Sequence, residues 1–311
     1  MPSKFSIGVD IGGSHITSIA INTETRSFIN ESIARNAVDC HAAADVILNT
    51  WASTLRQTLT HINSTKLQGI GFAMPGPFDY PAGIARFEGV QKYDFLNGIN
   101  VRDELAQRLG IKHPNTLRFM NDATCFAIGE AWMGEASAYK RVMAITLGTG
   151  FGSSFLANGI PVESGPEVPP KGCVYHLPYN ESIADDHFST RWFLSKYKTA
   201  TGIELEGVKE LAERYESEPL VQAIFGAFGG ALGLFLAPWL KRFKAECLVI
   251  GGNISKSYPL FEDSFKKSFK IEALDHLKVY ISEMGENAAL SGSARLSDDA
   301  FYAKLDTSAI K

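Results

Sequence analysis

Residues 9–22, VDIGGSHITSIAIN, place two apolar runs on either side of the turn Gly12–Gly13–Ser14. The pattern predicts a β-hairpin whose glycines leave backbone N–H groups open to a ligand. Residues 145–158, ITLGTGFGSSFLAN, repeat the pattern when Asp10 is laid on Thr146 without a gap. A repeat at this spacing in a chain of 311 residues favours two similarly built domains, although two unrelated glycine hairpins would look the same.

Around the hairpins, β-rich runs alternate with helical ones, which indicates mixed α/β domains. Further strands are predicted in KLQGIGFAM (66–74), LRFMND (117–122), ECLVIGG (246–252) and LKVYIS (277–282). Helices are predicted at 42–62, 101–109, 123–133, 187–197, 208–216 and 258–269. The stretch 161–183 carries five prolines and is expected to be a long ordered loop.

One uncharged segment, residues 219–240, is long enough to cross a bilayer. Its four glycines, and the strand-like CLVIGG that follows it, favour a buried helix lying close to a sheet. One stripe of this helix recurs at steps of three and four residues and is expected to face the core or a dimer partner: Phe225, Phe228, Leu232, Leu236 and Trp239.

The composition excludes several classes of protein. Apolar residues make up 45% of the chain, charged residues 21%, and the net charge is −4. We therefore expect neither disorder nor a general attraction to nucleic acid or to an anionic membrane. The four cysteines lie far apart, which disfavours a disulfide framework or a zinc site. The first ten residues lack an apolar signal core, so we expect a cytoplasmic protein whose partner is a small molecule.

Two glycine turns facing one another would hold a polyphosphate. The predicted phosphate-binding residues are Gly12, Gly13, Ser14 and Thr17 in the first turn and Thr146, Gly148, Thr149 and Gly150 in the second. Neither turn has the Lys-Ser/Thr pair of a P-loop. The residues after the second turn favour a strand, whereas a dinucleotide-binding turn leads into a helix, so a dehydrogenase is disfavoured.

Two aspartates lie where catalytic chemistry is expected. Asp10 directly precedes the first turn, where its carboxylate would hold a hydrated Mg²⁺ against phosphates. Asp122 lies where a strand gives way to a helix. It is either a catalytic group held on rigid elements or a simple helix N-cap.

In this order, the motifs resemble the ROK family of bacterial sugar kinases, within the actin/hexokinase superfamily. Besides the two hairpins, the resemblance rests on GIGFAMPGPFD (69–79), NDATCFAIGE (121–130), LVIGGNIS (248–255) and AALSGSARL (288–296). It implies two ribonuclease H-like α/β domains around a central cleft. The first domain would be 1–117 with a C-terminal helix 297–311, and the second 118–296. A homodimer is a further implication.

The family's activity implies roles for individual residues. Asp122 would be the general base that takes the proton from a sugar hydroxyl as the hydroxyl attacks the γ-phosphate of ATP, with Mg²⁺ present. The implied sugar contacts are Asn97, Asn121, His176 and Asp185. The implied adenosine contacts are Gly251, Gly252 and Asn253.

The chain departs from the family at the sugar end. Members carry Glu-x-Gly-His followed by a cysteine-rich zinc loop, whereas this chain has CVYH, in which Cys173 replaces the glutamate and Tyr175 the glycine. The zinc loop is missing, so we expect no zinc site around His176. Asp185 stands where the family has a longer glutamate. Charge-assisted hydrogen bonds are the strong ones, so a grip on adjacent sugar hydroxyls would be weakened.

We therefore expect an ATP-dependent kinase of a hexose, a modified sugar or an acylated hexosamine. The altered CVYH segment keeps open a catalytically weakened homologue that acts as a sugar-binding or regulatory protein. The family also contains transcriptional repressors with an N-terminal winged-helix region. Here the first hairpin begins at Phe5, and we expect no such region and no nucleic-acid partner.

Overall fold

The strands and helices of the computed structural model, which describes residues 4–89 and 92–305, follow the predicted alternation. The strands are β1 (Phe5–Ile11), β2 (His15–Asn22), β3 (Ser27–Ala37), β4 (Leu67–Met74), β5 (Phe78–Asp79), β6 (Ile84–Ala85), β7 (Leu117–Asn121), β8 (Arg141–Leu147), β9 (Phe151–Ala157), β10 (Ile160–Pro161), β11 (Pro178–Tyr179), β12 (Ser182–Ile183), β13 (Cys247–Gly251) and β14 (Lys278–Ile281). The helices are α1 (Ala44–Leu59), α2 (Val101–Leu109), α3 (Asp122–Met133), α4 (Ala184–His187), α5 (Thr190–Thr201), α6 (Val208–Glu213), α7 (Pro219–Phe243), α8 (Tyr258–Ile271), α9 (Glu286–Arg295) and α10 (Asp299–Tyr302).

The chain divides into two units, Met1–Ser137 with Glu286–Lys311, and Ala138–Gly285. The sheet of the first unit has the order β3-β2-β1-β4-β7, with β1 antiparallel to β2 and parallel to β4. The sheet of the second unit has the order β10-β9-β8-β13-β14, with β8 antiparallel to β9 and parallel to β13. The two sheets therefore share one topology, as the internal repeat predicts.

The gapless superposition of the two hairpins is correct only as far as the turn. Asp10 is in register with Thr17, whereas Thr146 is in register with Gly152. The second turn is thus one residue shorter, and the residue equivalent to Ser18 is Ser153 rather than Ser154. Residues after the turn that are identical in the gapless alignment are therefore not at structurally equivalent positions.

The sheet of the first unit is buried on both sides. Alternate residues of β1, Ile7, Val9 and Ile11, belong to one apolar cluster together with Ile47 and Trp51 of α1. Gly8 points to the opposite side, where the carbonyl of Leu290 in α9 is so close that a Cβ on Gly8 would collide with it. Successive side chains of a strand point to opposite faces, so β1 must carry large residues toward α1 and none toward α9.

The backbone of helix α9 lies in close contact with the backbones of three other elements, β1, β4 and α3. A Cβ on Gly71 of β4 would collide with the carbonyl of Ser293, one on Gly129 of α3 with that of Ala288, and one on Gly292 with that of Cys125. Val9 N donates to Ser293 Oγ at 3.1 Å. Helix α3 is therefore held to α9 in the first unit. The two units of the structure have their limits at 137 and 286. The predicted domain limits at 117 and 297 concern the two sequence repeats, and they stay a prediction.

Strand β3 and helix α9 are the longest of the elements that were not expected from the sequence. Strand β3 is a long edge strand with many exposed polar residues, and its pairing with β2 shifts register between Ser18 and Ala20. Ser32 fills this irregularity because its Oγ accepts from Ala20 N at 2.8 Å. Helix α9 covers most of AALSGSARL, whereas the predicted C-terminal helix began at 297. Of that predicted helix, Asp299–Tyr302 is helical, and residues 306–311 lie outside the described residues.

The uncharged segment forms α7, and the prediction of a core helix is confirmed. Among the described residues it is the one helix long and apolar enough to cross a membrane, and half of its most apolar window is buried. The stripe Phe225, Phe228, Leu232 and Leu236 is fully buried, while Trp239 is partly exposed and lies against Arg242. A Cβ on Gly233 would meet Ser268 Cβ at 2.7 Å, so α8 packs closely here.

Replacing Gly292 with alanine tests the close approach of α9. We expect a loss of about 1–3 kcal/mol in the free energy of unfolding, because the new Cβ overlaps the Cys125 carbonyl and forces α9 away from α3. Gly226→Ala in α7 is the matched control, since no atom lies within 4 Å of its Cβ position. Helix propensity predicts a gain of about 0.5–1 kcal/mol for the control. Urea denaturation that shows equal stability for both variants would contradict this packing.

Candidate active site

The first glycine hairpin is fixed to its surroundings at three backbone positions. Gly12 N donates to His15 O at 3.0 Å, and Val38 N donates to Ser14 O at 2.8 Å. The hydroxyl of the buried Tyr93 donates to Gly12 O at 2.5 Å. The turn is therefore held rigid, with Gly13 and Ser14 at its tip, as a site for anion binding requires.

Asp10 is the penultimate residue of β1, the first strand of this hairpin, and it pairs with Thr17 of β2. Burial and the nearby carboxylates of Asp122 and Glu286 raise the pKa of Asp10 to about 7, while Arg35 lowers it. Thr17 is 2% exposed, and its hydroxyl has no hydrogen-bond partner in the part of the chain that is described. The predicted role of Thr17 in phosphate binding stays a prediction.

Asp122 opens α3, immediately after β7. Strands β1, β4 and β7 are parallel, so the positions that follow them lie at one edge of the sheet. The helix is capped by Asn121, whose Oδ1 accepts from Ala123 N at 3.1 Å and from Thr124 N at 3.3 Å. Asp122 is accessible to solvent, yet desolvation by the surrounding protein raises its pKa. Asn121 thus provides the N-cap of α3, and a capping role alone does not explain an aspartate at position 122.

Three charged residues at this site were missed by the sequence reasoning. Lys92 lies beside the tip of the hairpin, and its ammonium lowers the pKa of Asp122. Arg35 of β3 donates to Glu286 Oε2 at 3.2 Å, and its other terminal nitrogen lies 3.0 Å from His15 Nε2. None of these residues belongs to a motif, and β3 itself was not predicted. Only the fold brings them next to Asp10.

The residues around Asp10 suit a hydrated magnesium ion. Burial, and after it the carboxylates of Asp122 and Glu286, disfavour the charged form of Asp10, and a nearby divalent cation favours it. Within the described residues, no three or more His, Cys, Asp or Glu side chains are grouped to bind a metal directly. A cation held by Asp10 through water fits this arrangement, because Mg²⁺ keeps several of its waters.

The second hairpin is braced by side chains from α4 and α5. Asp185 Oδ1 accepts from Phe151 N at 2.6 Å, and its Oδ2 accepts from Arg191 Nη2 at 2.6 Å. Arg191 also donates to Thr149 O at 3.0 Å, and Thr190 N donates to Gly148 O at 2.8 Å. Both oxygens of Asp185 thus engage protein donors, and its predicted sugar contact stays a prediction.

The predicted adenosine residues lie beside the second hairpin. Gly251 ends β13 in register with Thr146 of β8. Gly252 has φ +83°, and a Cβ there would collide with the carbonyl oxygen of Leu147. Only glycine fits this position without strain. Asn253 is exposed, and its Oδ1 accepts from Lys256 Nζ at 3.3 Å.

The remaining predicted sugar residues are partly or fully exposed. Asn97 follows the short helical turn 94–96 and is exposed. His176 Nδ1 lies 3.7 Å from Cys173 Sγ, and burial lowers the pKa of His176. Burial raises the pKa of Cys173 to about 11, so its thiol is neutral near pH 7. The position that carries a glutamate in the resembling family therefore bears no charge here.

The first unit thus carries a carboxylate-rich glycine hairpin, and the second unit carries a glycine hairpin braced by Asp185 and Arg191. The sequence model of the ROK family matches residues 6–300. The chain belongs to the ROK family, and the resemblance seen in its motifs is confirmed.

Several relatives of the chain are named sugar kinases. The chain is similar to an N-acetyl-D-glucosamine kinase of Mannheimia succiniciproducens, 26% identical over 93% of this chain and 98% of the relative. It is also similar to a glucokinase of Thermotoga maritima, 24% identical over 95% and 98% of the two chains. A solved ROK glucokinase from Streptomyces griseus, in complex with glucose and AMPPNP, matches with a TM-score of 0.72 and 21% identity, over 94% of this chain and 98% of that one. The predicted α/β fold class, of the actin/hexokinase type, is confirmed.

Asp185→Ala tests the bracing of the second hairpin. We expect a loss of about 1–3 kcal/mol in unfolding free energy, because a charged acceptor is removed and Phe151 N–H loses its partner. Asp186→Ala is the control: this neighbour is half exposed and lies 3.6 Å from Arg191. Its loss should stay below about 0.5 kcal/mol. Equal losses in chemical denaturation would show that Asp185 acts only as a surface charge.

Asp10→Asn should stabilise the protein when magnesium and nucleotide are left out. The folded-state pKa near 7 exceeds the ordinary 3.8, so ionisation of Asp10 favours the unfolded chain as pH rises from 4 to 7. The neutral asparagine removes this loss, which we expect to be worth about 2 kcal/mol at pH 8 after screening. Thermal unfolding should show the gain shrinking as the pH falls towards 4. A gain that is independent of pH would contradict the carboxylate repulsion.

Proposed function

We propose that the protein is an ATP- and Mg²⁺-dependent sugar kinase, which transfers the γ-phosphoryl group to a hydroxyl of a hexose or a related sugar. The observation that carries the proposal is the pair Asp10 and Asp122, whose charges interact beside a rigid glycine hairpin. Membership in the ROK family supports the sugar kinase function in general terms. The identity of the sugar and the roles of the individual residues are part of what we propose.

Asp122 acts as the general base. Its pKa, raised by desolvation, makes the carboxylate a stronger proton acceptor than an ordinary aspartate, and the charge of Lys92 acts in the opposite direction. The proton of the sugar hydroxyl passes to Asp122, the hydroxyl oxygen bonds to the γ-phosphorus, and ADP leaves with the electrons of the broken bond. Phosphoryl transfer depends mainly on positioning and charge neutralisation, so a base fixed at a helix start suffices.

The proposed nucleotide contacts are backbone groups of the two glycine hairpins. Gly12, Gly13 and Ser14 in the first unit and Thr146, Gly148, Thr149 and Gly150 in the second would supply donors to phosphate oxygens. Gly251, Gly252 and Asn253 would lie along the adenosine. Asp10 would hold magnesium through water, and when bound the metal neutralises phosphate charge.

The substrate belongs to the hexoses or the acylated hexosamines. Asn97, Asn121, His176 and Asp185 are the proposed sugar contacts. The relatives named above act on N-acetyl-D-glucosamine and glucose according to their names. Because the thiol of Cys173 is neutral, this chain lacks one carboxylate for the sugar hydroxyls. We propose that its sugar preference differs from that of members with the glutamate.

A second candidate is a sugar-binding homologue with weak catalysis, a regulatory protein. The observation that favours it is again at the sugar end, where Cys173 is uncharged and both oxygens of Asp185 are engaged. Such a protein would bind sugar and nucleotide but release little ADP. The cytoplasmic location, the homodimer, the absence of a nucleic-acid partner and the two domains of the sequence analysis remain predictions.

The proposed function is tested by ADP release from Mg·ATP across hexoses, ketoses, amino sugars and acylated amino sugars. Turnover on one sugar is expected. Asp122→Asn should lower kcat by about 10²–10⁴, the usual contribution of a general base, without weakening nucleotide binding. Asp45→Asn removes an exposed carboxylate of the same unit and should leave kcat unchanged. Sugar and ATP binding without ADP release would favour the weakened homologue, and an active Asp122→Asn would remove Asp122 from the base role.

A further inference from the structure

Lys92 lies against the tip of the first hairpin. A Cβ built on Gly13 would be 3.4 Å from Lys92 Cε and 3.6 Å from Nζ, which is ordinary van der Waals contact. The lysine comes from the segment that follows β6, and no motif of the family resemblance includes it. Its ammonium is thus placed beside the backbone groups that would bind phosphate.

The neighbouring residue fixes Lys92 in this place. Tyr93 is fully buried, with its ring 5.4 Å from Trp51 and 5.7 Å from Phe87. Its backbone has φ +58°, its N–H donates to Cys40 O at 2.9 Å, and its hydroxyl donates to Gly12 O at 2.5 Å. The backbone at Lys92 is therefore tied to the hairpin itself and cannot drift from it independently.

The charge of Lys92 is available to a ligand. Arg35, the other cation near Asp10, is bonded to Glu286 and contacts His15. Lys92 forms no hydrogen bond or ion pair with the residues that the structure describes, and it is exposed. Its electrostatic effect reaches Asp122, so the ammonium acts on the region where the proposed base works.

We propose that the Lys92 ammonium binds the γ-phosphoryl group of ATP and neutralises its charge during transfer to the sugar. This inference rests on the proposed function. Lys92 takes no part in the proton transfer: the sugar proton goes to Asp122, the new O–P bond forms, and the bond from the γ-phosphorus to the oxygen of the β-phosphate breaks, with its electrons leaving on ADP. A compact cation on a flexible stem can follow the phosphoryl group along this path.

Nucleotide binding by the whole chain separates this role from a structural one, because only ATP and its analogues carry the γ-phosphate. In Lys92→Met we expect the Kd of Mg·AMPPNP to rise about tenfold or more, as for a lost charge-assisted hydrogen bond. The Kd of Mg·ADP should stay within about twofold. On the sugar found in the panel, kcat should fall about 10²-fold, with the sugar KM little changed.

Two variants serve as controls. Lys92→Arg keeps a cation and should restore a large part of the AMPPNP affinity. Lys112→Met removes an exposed lysine that precedes β7, at the end of the strand opposite Asp122, and should match the unmodified protein in every assay.

Each outcome separates the two proposals. If Lys92→Met binds AMPPNP as tightly as the unmodified chain, or weakens AMPPNP and ADP equally, the role of Lys92 is refuted while sugar kinase activity stands. If the unmodified chain binds AMPPNP but phosphorylates no sugar, the proposed function fails, and selective loss of AMPPNP binding would still support Lys92. An unmodified chain that binds neither nucleotide overturns both.

Discussion

The closest backbone contact in the first unit, that of α9 with β1, β4 and α3, sets the position of everything at the carboxylate site. Glycines at 8, 71, 129 and 292 permit it, and each would overlap a carbonyl if it carried a side chain. Helix α9 follows the second unit in the chain, so the packing of β1 depends on a helix that is distant from it in sequence. The same helix begins with Glu286, which contributes to the charge around Asp10.

That closeness has an electrostatic cost. Three carboxylates share one region, and burial holds the pKa of Asp10 near 7. Ionisation of Asp10 is therefore unfavourable in the protein without ligand. Arg35 offsets part of this charge through Glu286. A divalent cation would offset the rest, so we expect this site to favour cation binding over the ligand-free state.

Much of the fold follows from local sequence, because the hairpins, the parallel strands and helices such as Val101–Leu109 have strong periodicity and clear turns. Strand β3 was missed because its pattern is polar and interrupted, and α9 because small residues on all its faces leave no amphipathic stripe. For the site, Asp10 and Asp122 stand in motifs. Lys92, Arg35 and Arg191 do not, since long-range packing alone places them there.

Asp185 shows how a departure from the family motif changes the role of a position. Its carboxylate braces the second hairpin through Phe151 N, and Arg191 takes the other oxygen. A glutamate has one more methylene, so it would extend past Phe151 N instead of stopping at it, and the shorter aspartate suits the bracing contact. The thiol of Cys173 is neutral, so the other altered position carries no charge. Under the proposed function, the residues for phosphate binding are retained, and sugar recognition would rest more on neutral hydrogen bonds. Neutral hydrogen bonds tolerate a wider range of hydroxyl arrangements than a bidentate carboxylate does.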